Sequence, residues 1–306
     1  MRLYYLLLLT LASICILAQE QSSPYIIALG ITQDAGYPQI GCSKECCQKA
    51  WKEDSLKRTV VSLALVDPQY GKWWLFEATP DIKEQLQVFS ELTKNKFSFL
   101  PQGIFITHAH MGHYTGLMEL GRESMNSQSI PVMALPKFCS FMENNGPWNQ
   151  LVKLKNISLN SISVDSVIKL SSDISVQTFT VPHRDEFSET AGFRILTNDR
   201  KYIFIPDIDK WTQWKMDVRT LVKENDICFL DATFFSEKDL PHRNINEVPH
   251  PFVIETEELF SGSYKELRKK IVLIHFNHTN PLLYDQIIRQ NLEKKGFKVA
   301  VQKAIY

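Results

Sequence analysis

Three of the chain's eight histidines lie close together in the segment Thr107–Gly116, which reads THAHMGHYTG. They are His108, His110 and His113, and they follow Gly103–Ile106, an apolar run typical of a buried strand. Side chains two residues apart on an extended chain face the same side, so we expect His108 and His110 to point together. Neutral imidazoles are common ligands of zinc and similar metals. The segment therefore predicts a metal site at a strand end.

Three further residues of the ligand type each follow an apolar run. They are His183, Asp207 and His275, and the runs before the last two are Tyr202–Pro206 and Ile271–Ile274. Any one of them alone could be an ordinary hydrogen-bonded residue, but a buried histidine or aspartate needs a partner or a metal. Because several strand ends carry such residues, we expect them to meet. They would hold two metals that share a bridging aspartate, or one metal tightly and a second loosely.

The elements that must position these residues are short strands alternating with a few helices. Strands are predicted for about a dozen runs, among them Tyr25–Ile31, Trp73–Ala78, Ile227–Leu230 and Ile271–Phe276. Helices are predicted at Tyr114–Glu123, at Leu282–Lys295 and from Thr79, a hydroxyl residue followed by proline. No linker interrupts the pattern, so we expect a single α/β domain that covers residues 24–306.

The composition favours a small-molecule substrate. Lysine plus arginine and aspartate plus glutamate number 34 each, which gives a net charge of zero. No basic run forms an arm for a phosphate polymer, which argues against nucleic acid as a partner. With 44% hydrophobic and 22% charged residues the chain resembles an ordinary globular protein. The composition does not indicate an oligomeric state.

Residues 1–18 have the pattern of a secretory signal peptide, with Arg2, the apolar run Leu3–Leu17 and then the small residue Ala18. We expect cleavage after Ala18 and a periplasmic or secreted mature protein. A lipid anchor on Cys15 is an alternative, although the residue before it is isoleucine rather than a small residue. An uncleaved membrane anchor is a further alternative, although the apolar run is short for a bilayer span. Otherwise, contact with a membrane is expected only through the lipid anchor.

One of the six cysteines lies in the predicted signal peptide, so an odd number remains in the mature chain. Cys42, Cys46 and Cys47 form a tight cluster. The odd count and the close spacing favour a use other than a set of disulfides. Cys139 and Cys228 have apolar neighbours and are predicted to be buried.

The order of the ligand-type residues resembles the metallo-β-lactamase superfamily, in which H-x-H-x-x-H is followed by a histidine, an aspartate and a last histidine. The resemblance covers nearly the whole mature chain and implies an αββα sandwich with metals at the strand ends. Within the superfamily the chain resembles the pyrroloquinoline quinone (PQQ) biosynthesis protein B group. The matching stretches are Gly36–Gln39, Ala78–Ile82, His113–Leu117, Leu230–Phe234 and Ile274–Pro281.

This resemblance implies a role for each ligand. One or two zinc ions would occupy the active site, and iron is a further option. The first metal would be held by His108, His110 and His183, Asp207 would bridge, and the second site would include His113 and His275.

One position departs from the superfamily pattern. The superfamily has H-x-H-x-D-H, whereas this chain has Gly112 at the aspartate position. That aspartate ligates the second metal and orients the attacking water, so the second site should be weaker unless Asp34 or Asp209 substitutes. The PQQ group usually lacks the full set of motif histidines that this chain retains. The resemblance therefore implies more about fold than about chemistry.

The cysteine cluster has two interpretations. Cys42, Cys46 and Cys47 would complete a structural zinc site with His278, which lies shortly after His275. This arrangement resembles the cyclic phosphodiesterases of phosphonate metabolism, whose H-x-x-H supplies one histidine to each zinc site. The alternative is a disulfide between Cys42 and either of the other two cysteines.

Asp231 and His250 resemble a proton-donating pair in the tRNA 3′-processing branch, where an E-A-T-F segment and a downstream histidine act together. The corresponding segment here reads DATF and begins at Asp231. A carboxylate that orients an imidazole is a common general-acid arrangement. The alternative is that His250 is a solvent-exposed loop histidine.

Together these residues predict a metal-dependent hydrolase that uses a metal-activated water on a small phosphodiester or another ester. His250, oriented by Asp231, would protonate the leaving oxygen. One alternative is an iron-dependent oxidation in cofactor biosynthesis, as the resemblance to the PQQ group implies. Another is a non-catalytic binding protein with the same fold.

Overall fold

The computed structural model describes residues 23–240, 244 and 247–306. The predicted signal peptide, residues 1–18, and the alternative anchor residue Cys15 lie outside these described residues. Within the described residues, no helix is both long enough and apolar enough to cross a membrane.

Six strands form the first sheet in chain order. They are β1 (Tyr25–Gly30), β2 (Ser62–Asp67), β3 (Lys72–Phe76), β4 (Ile104–Phe105), β5 (Ile130–Ala134) and β6 (Ile157–Ser161). The pairs from β1 to β3 are antiparallel, and those from β3 to β6 are parallel. Alternation along β3 places Trp74 and Phe76 in one buried cluster and Trp73 and Leu75 in another. Both faces of this sheet are therefore covered.

Seven strands form the second sheet, again with neighbours in chain order. They are β7 (Val167–Lys169), β8 (Ile174–Val181), β9 (Thr190–Thr197), β10 (Lys201–Ile205), β11 (Ile227–Asp231), β12 (Ile271–Ile274) and β13 (Lys298–Val299). The pairs from β7 to β10 are antiparallel, and those from β10 to β13 are parallel. Each sheet thus has a parallel half, whose strand ends are the usual location of a site in α/β proteins.

Helices alternate with the strands along the chain. They are α1 (Glu45–Lys52), α2 (Ile82–Leu92), α3 (Met111–Tyr114), α4 (Pro136–Asn144), α5 (Trp148–Lys153), α6 (Val218–Glu224), α7 (Val253–Leu259) and α8 (Gln286–Lys294). Apolar residues of α2, α4 and α5 pack against the first sheet. Residues of α6, α7 and α8 belong to the cluster of the second sheet. The predicted αββα sandwich is confirmed.

Several predicted element boundaries are wrong, and three of them are explained by local geometry. Helix α2 begins at Ile82 with Asp81 as its N-cap, not at Thr79. Helix α8 begins at Gln286, because the Asp285 side chain accepts hydrogen bonds from the first turn and caps the helix there. Strand β12 ends before His275, whose φ of 69° leaves the extended region. Cys139 and Cys228 are buried, as predicted.

A cluster of phenylalanines joins the two sheets directly below the strand ends. The ring centroid of Phe76 lies 4.8 Å from that of Phe105, 5.5 Å from Phe193 and 6.1 Å from Phe204. These residues stand near the ends of β3, β4 and β10 and at the start of β9. Edge-to-face and stacked aromatic pairs contribute about 0.5–1.5 kcal/mol each beyond their buried area. These contacts therefore stabilise the ends of β3, β4 and β10, from which residues of the site follow.

Candidate metal centres

The histidine stretch begins just beyond β4 and continues into helix α3. His110 keeps an extended backbone with φ of −91° and ψ of 148°. Helix α3 starts at the next residue, so His113 reaches the strand end from the helix. His113 and His108 are buried, and their ring centroids lie 4.2 Å apart.

The helix predicted over Tyr114–Glu123 is wrong in both bounds. Helix α3 ends at Tyr114, and a 3₁₀ helix covers Thr115–Leu120. The backbone of Ala78, just after β3, donates to His113 O and accepts from Gly116 N, each at 2.9 Å. These tertiary hydrogen bonds take the place of regular helical bonds and draw the segment towards the sheet.

The first cluster brings together four of the predicted ligands: His108, His110, His183 and Asp207. His110 Nδ1 lies 2.8 Å from His108 Nε2 and 3.2 Å from His183 Nε2. Asp207 Oδ2 lies 3.4 Å from His108 Nε2 and 3.3 Å from His183 Nε2. Zn–N bonds of about 2.0–2.1 Å place the ligand atoms of a tetrahedral zinc about 3.3 Å apart. Three of the four distances match this spacing, and His108 and His110 lie somewhat closer together, so the cluster fits a zinc ion with a small movement of one ring.

Carboxylates outside the first cluster orient two of its imidazoles. His183 Nδ1 lies 3.1 Å from Asp209 Oδ1, and His110 Nε2 lies 2.8 Å from Glu186 Oε2. Such a partner fixes the N–H on its own side and directs the lone pair of the other ring nitrogen into the cluster. Asp209 thus supports His183 and does not reach the second cluster. The sequence reasoning missed Glu186, because no local pattern marks an acid in that loop.

Asp209→Asn should weaken metal binding in the first cluster by about 10- to 100-fold, the usual cost of losing such a partner. An amide lacks the charge that holds the Nδ1–H of His183, so the ring loses its orientation and part of its basicity. Titration against a chromophoric chelator measures the change, with exposed Asp199→Asn as the matched control. Equal affinities of the two variants would contradict this role for Asp209.

The second cluster consists of Asp34, His113 and His275, whose ligand atoms lie within 4.8 Å of one another. Asp34 Oδ1 is 3.4 Å from His113 Nε2. Asp207 Oδ2 is 3.7 Å from the same nitrogen, so Asp207 lies between the two clusters. Of the two carboxylates considered as replacements for the missing motif aspartate, Asp34 is the one placed here.

Three polar atoms of the second cluster are buried and have no hydrogen-bond partner among the residues that the structure describes: Asp34 Oδ1, His113 Nε2 and His275 Nε2. Each unpaired buried group costs about 1–3 kcal/mol, so such groups are rare in isolation. A cation would satisfy all three atoms at once. The donor set of imidazoles and carboxylates suits zinc or iron.

Glu77 is a fully buried acid that the sequence reasoning missed. Its Oε1 lies 3.6 Å from His113 Nδ1, and its Oε2 accepts a hydrogen bond from Thr107 N at 3.3 Å. Burial alone would lower the pKa of His113, but the carboxylates of Glu77 and Asp34 outweigh burial and raise it to about 10, so a metal that binds at Nε2 must displace a proton. The available signal was an acid at the end of the apolar run Trp73–Ala78, where a charge needs a partner.

A buried network lies beside both clusters and contains the predicted pair Asp231 and His250. Asp231 Oδ2 lies 2.9 Å from His250 Nδ1, and Asp231 Oδ1 accepts a hydrogen bond from Thr233 Oγ1 at 2.7 Å. Thr233 Oγ1 in turn lies 2.8 Å from His275 Nδ1, so Nε2 of His275 faces the second cluster. His250 is only 5% exposed. The alternative of a solvent-exposed loop histidine is therefore wrong.

The cysteine cluster joins helix α1 and its preceding loop to the segment after β12. Cys46 Sγ lies 4.0 Å from Sγ of both Cys42 and Cys47. His278 Nδ1 lies 3.7 Å from Cys46 Sγ and 3.4 Å from Cys47 Sγ. Zn–S bonds of about 2.3 Å place two sulfurs of a tetrahedral site about 3.8 Å apart, so the group fits a closed zinc site. All cysteines that the structure describes are free, which contradicts the disulfide alternative.

Known proteins share this sequence pattern and this fold. The beta-lactamase superfamily domain matches residues 72–276. Coenzyme PQQ synthesis protein B of Methylorubrum populi is 25% identical over 299 residues, which cover 90% of this chain and 97% of the relative.

Two solved structures have the same fold. Zinc-bound PqqB from Methylobacterium extorquens superposes with a TM-score of 0.74 at 22% identity, covering 92% of this chain and 99% of that chain. A diphosphatase of the PhnP family superposes with a TM-score of 0.65 at 19% identity, covering 92% and 96%. From the family match and these similarities, the chain belongs to the metallo-β-lactamase superfamily and is close to the PQQ synthesis protein B group within it.

Proposed function

We propose that the chain is an exported metal-dependent hydrolase that acts on a small phosphodiester or another ester. The observation that supports this proposal is the pair of ligand clusters on either side of Asp207, the second of which has three buried ligand atoms without a hydrogen-bond partner in the described residues. Metal ions bound there would supply Lewis-acid polarisation of the substrate and a water that deprotonates near neutral pH. The export part rests on the signal-peptide pattern of residues 1–18, which makes the protein periplasmic or secreted.

The buried network provides a proton donor for the leaving group. Asp231 holds Nδ1 of His250, so Nε2 is the ring nitrogen that remains to deliver a proton. Thr233 links Asp231 to His275, so the donor and a ligand of the second cluster are held in one geometry. The burial of His250 keeps bulk water away from this proton.

A positively charged side chain beside the first cluster favours a phosphodiester as the substrate. Arg184 Nη2 lies 3.4 Å from His110 Nδ1, and the Arg184 side chain is 52% exposed. A guanidinium matches a phosphate group with two parallel hydrogen bonds. The shared fold with a PhnP-family diphosphatase agrees with a phosphoryl substrate. We propose no nucleic-acid partner, because the chain has no net positive charge.

A second candidate is an iron-dependent oxidation in cofactor biosynthesis. It is supported by the similarity to coenzyme PQQ synthesis protein B, which extends over 90% of this chain. Imidazole and carboxylate donors suit iron as well as zinc. A third candidate is a non-catalytic binding protein that has kept the metal site.

Metal analysis of the purified protein, combined with two activity assays, separates these candidates. We expect zinc, turnover of bis-(p-nitrophenyl) phosphate, and loss of both the active-site metal and turnover in His108→Ala. Iron with oxygen consumption would overturn the hydrolase in favour of the oxidation. Bound metal without turnover of any phosphate or carboxylate ester would overturn it in favour of a binding protein.

His250→Gln tests the proton donor through the leaving group. An alkyl phosphodiester needs a proton on its leaving oxygen, so we expect kcat to fall about a hundredfold or more. A p-nitrophenolate leaves without a proton, so turnover of bis-(p-nitrophenyl) phosphate should change far less. His250 Nδ1 also lies 3.1 Å from Asp207 Oδ1, so metal content is measured in parallel and should stay at the level of the exposed control Asp199→Asn. Equal losses for both substrates would contradict proton donation by His250.

A further inference from the structure

We propose that Asp34, from the loop after β1, supplies the carboxylate ligand of the second metal, and that a glycine at position 112 is required to admit it. The proposal rests on the metal centre proposed above and states which side chain completes it. The metal considered is zinc or iron, as the donor set allows.

The space around Gly112 is already filled by Asp34. A Cβ atom added to Gly112 would lie 2.1 Å from Asp34 Oδ1, 2.6 Å from Asp34 Cα and 2.9 Å from Asp34 Cγ. These distances are far shorter than van der Waals contacts, and one of them involves backbone. A side chain at position 112 and Asp34 in its present place are therefore mutually exclusive.

The Asp34 carboxylate is aimed at ligand atoms and not at an ordinary partner. Its Oδ1 is buried, has no hydrogen-bond partner within the described part of the chain, and lies 3.4 Å from His113 Nε2. His275 Nε2, which is also buried and unpaired, belongs to the same group. A buried carboxylate oxygen that lies beside two imidazole nitrogens and accepts no hydrogen bond from the described residues is placed to bind a cation.

Backbone and side-chain contacts hold Asp34 in register with His275. Gln33 N donates to Phe276 O at 2.9 Å, and Gln33 Oε1 accepts from Asn277 Nδ2 at 2.6 Å. Gln33, the residue before Asp34, is thus hydrogen-bonded to the two residues that follow His275. The carboxylate and one imidazole of the second cluster are positioned by the same pair of segments.

Two substitutions test the proposal by different routes. Asp34→Asn keeps the shape and removes the charge, whereas Gly112→Ala keeps the charge and pushes the Asp34 loop away. Exposed Asp199→Asn is the control for charge removal. Apo protein of each variant is titrated with Co²⁺, whose absorption spectrum reports the two active-site positions, and with Zn²⁺ in competition with a chelator.

In both variants we expect the second active-site metal to bind at least about a hundredfold more weakly, since even the loss of an indirect partner costs 10- to 100-fold. The first metal should bind as in wild type. If Asp34→Asn binds two active-site metals with wild-type affinity, the proposal is overturned. If wild type binds one active-site metal and still hydrolyses esters, Asp34 is not a ligand and the proposed function stands. If wild type binds no active-site metal, both proposals fail.

Discussion

Asp207→Ala should abolish both active-site metals and lower turnover of a phosphodiester on the order of ten thousandfold. Asp207 Oδ2 lies within 3.3–3.7 Å of imidazole nitrogens from His108, His113 and His183. Asp207 lies between the two clusters, so its loss removes a ligand and the negative charge that offsets the charge of the bound cations. Each metal contributes several kcal/mol to catalysis, and 1.36 kcal/mol corresponds to about tenfold in rate.

The measurement is metal content by elemental analysis together with kcat/KM, and Asp199→Ala serves as the exposed control. Circular dichroism and Tm of the variant show whether the sandwich is still folded. A folded Asp207→Ala protein with the wild-type content of active-site metal would contradict a bridging position for Asp207. Metal loss with unchanged turnover would contradict the metal-dependent hydrolase itself.

Cys47→Ala should lower Tm by about 10 °C or more and remove one zinc ion per chain. A structural zinc contributes about 10–16 kcal/mol in zinc-finger peptides, and 1 kcal/mol shifts Tm by about 2–4 °C in domains of 150–250 residues. Losing one of four ligands forfeits part of that energy. Burial raises the pKa of Cys47 to about 12, so the thiol needs a bound cation to ionise.

Cys139→Ala is the matched control, because Cys139 is also a buried free thiol but lies outside the cluster. Both variants lose a buried sulfur. Only Cys47→Ala should lose zinc, so its Tm should no longer fall when a strong chelator is added. If the two variants have the same Tm and the same zinc content, Cys47 is only a small buried residue and the structural zinc site is wrong.

The cysteine cluster and the second active-site cluster are built on the same two segments. Asp34 precedes the three cysteines in the segment between β1 and β2, and His275 precedes His278 in the segment after β12. Hydrogen bonds between Gln33 and the residues after His275 join these segments. Removal of the structural zinc should therefore loosen the second cluster more than the first.

Local patterns in the sequence were sufficient to predict the buried strands and to predict that His108 and His110 face the same side. Strand burial follows from continuous apolar runs, and two histidines separated by one residue on extended backbone face one side. The ordered series of strand-end ligands also predicted which side chains meet, because the ends of parallel strands converge at one edge of a sheet. The αββα sandwich was predicted from the resemblance of this series to the metallo-β-lactamase superfamily.

Only the tertiary structure decided the contacts between residues far apart in the chain. The choice of Asp34 over Asp209 depends on the space left by Gly112, which no periodicity along the chain reports. The helix predicted from Tyr114 is wrong because backbone hydrogen bonds to Ala78 compete with helical ones. Propensity and periodicity describe a residue's near neighbours in sequence, whereas ligand geometry depends on which loops pack together. The sequence alone therefore determined the kind of site, and the packing of the two sheets decided which carboxylates complete it.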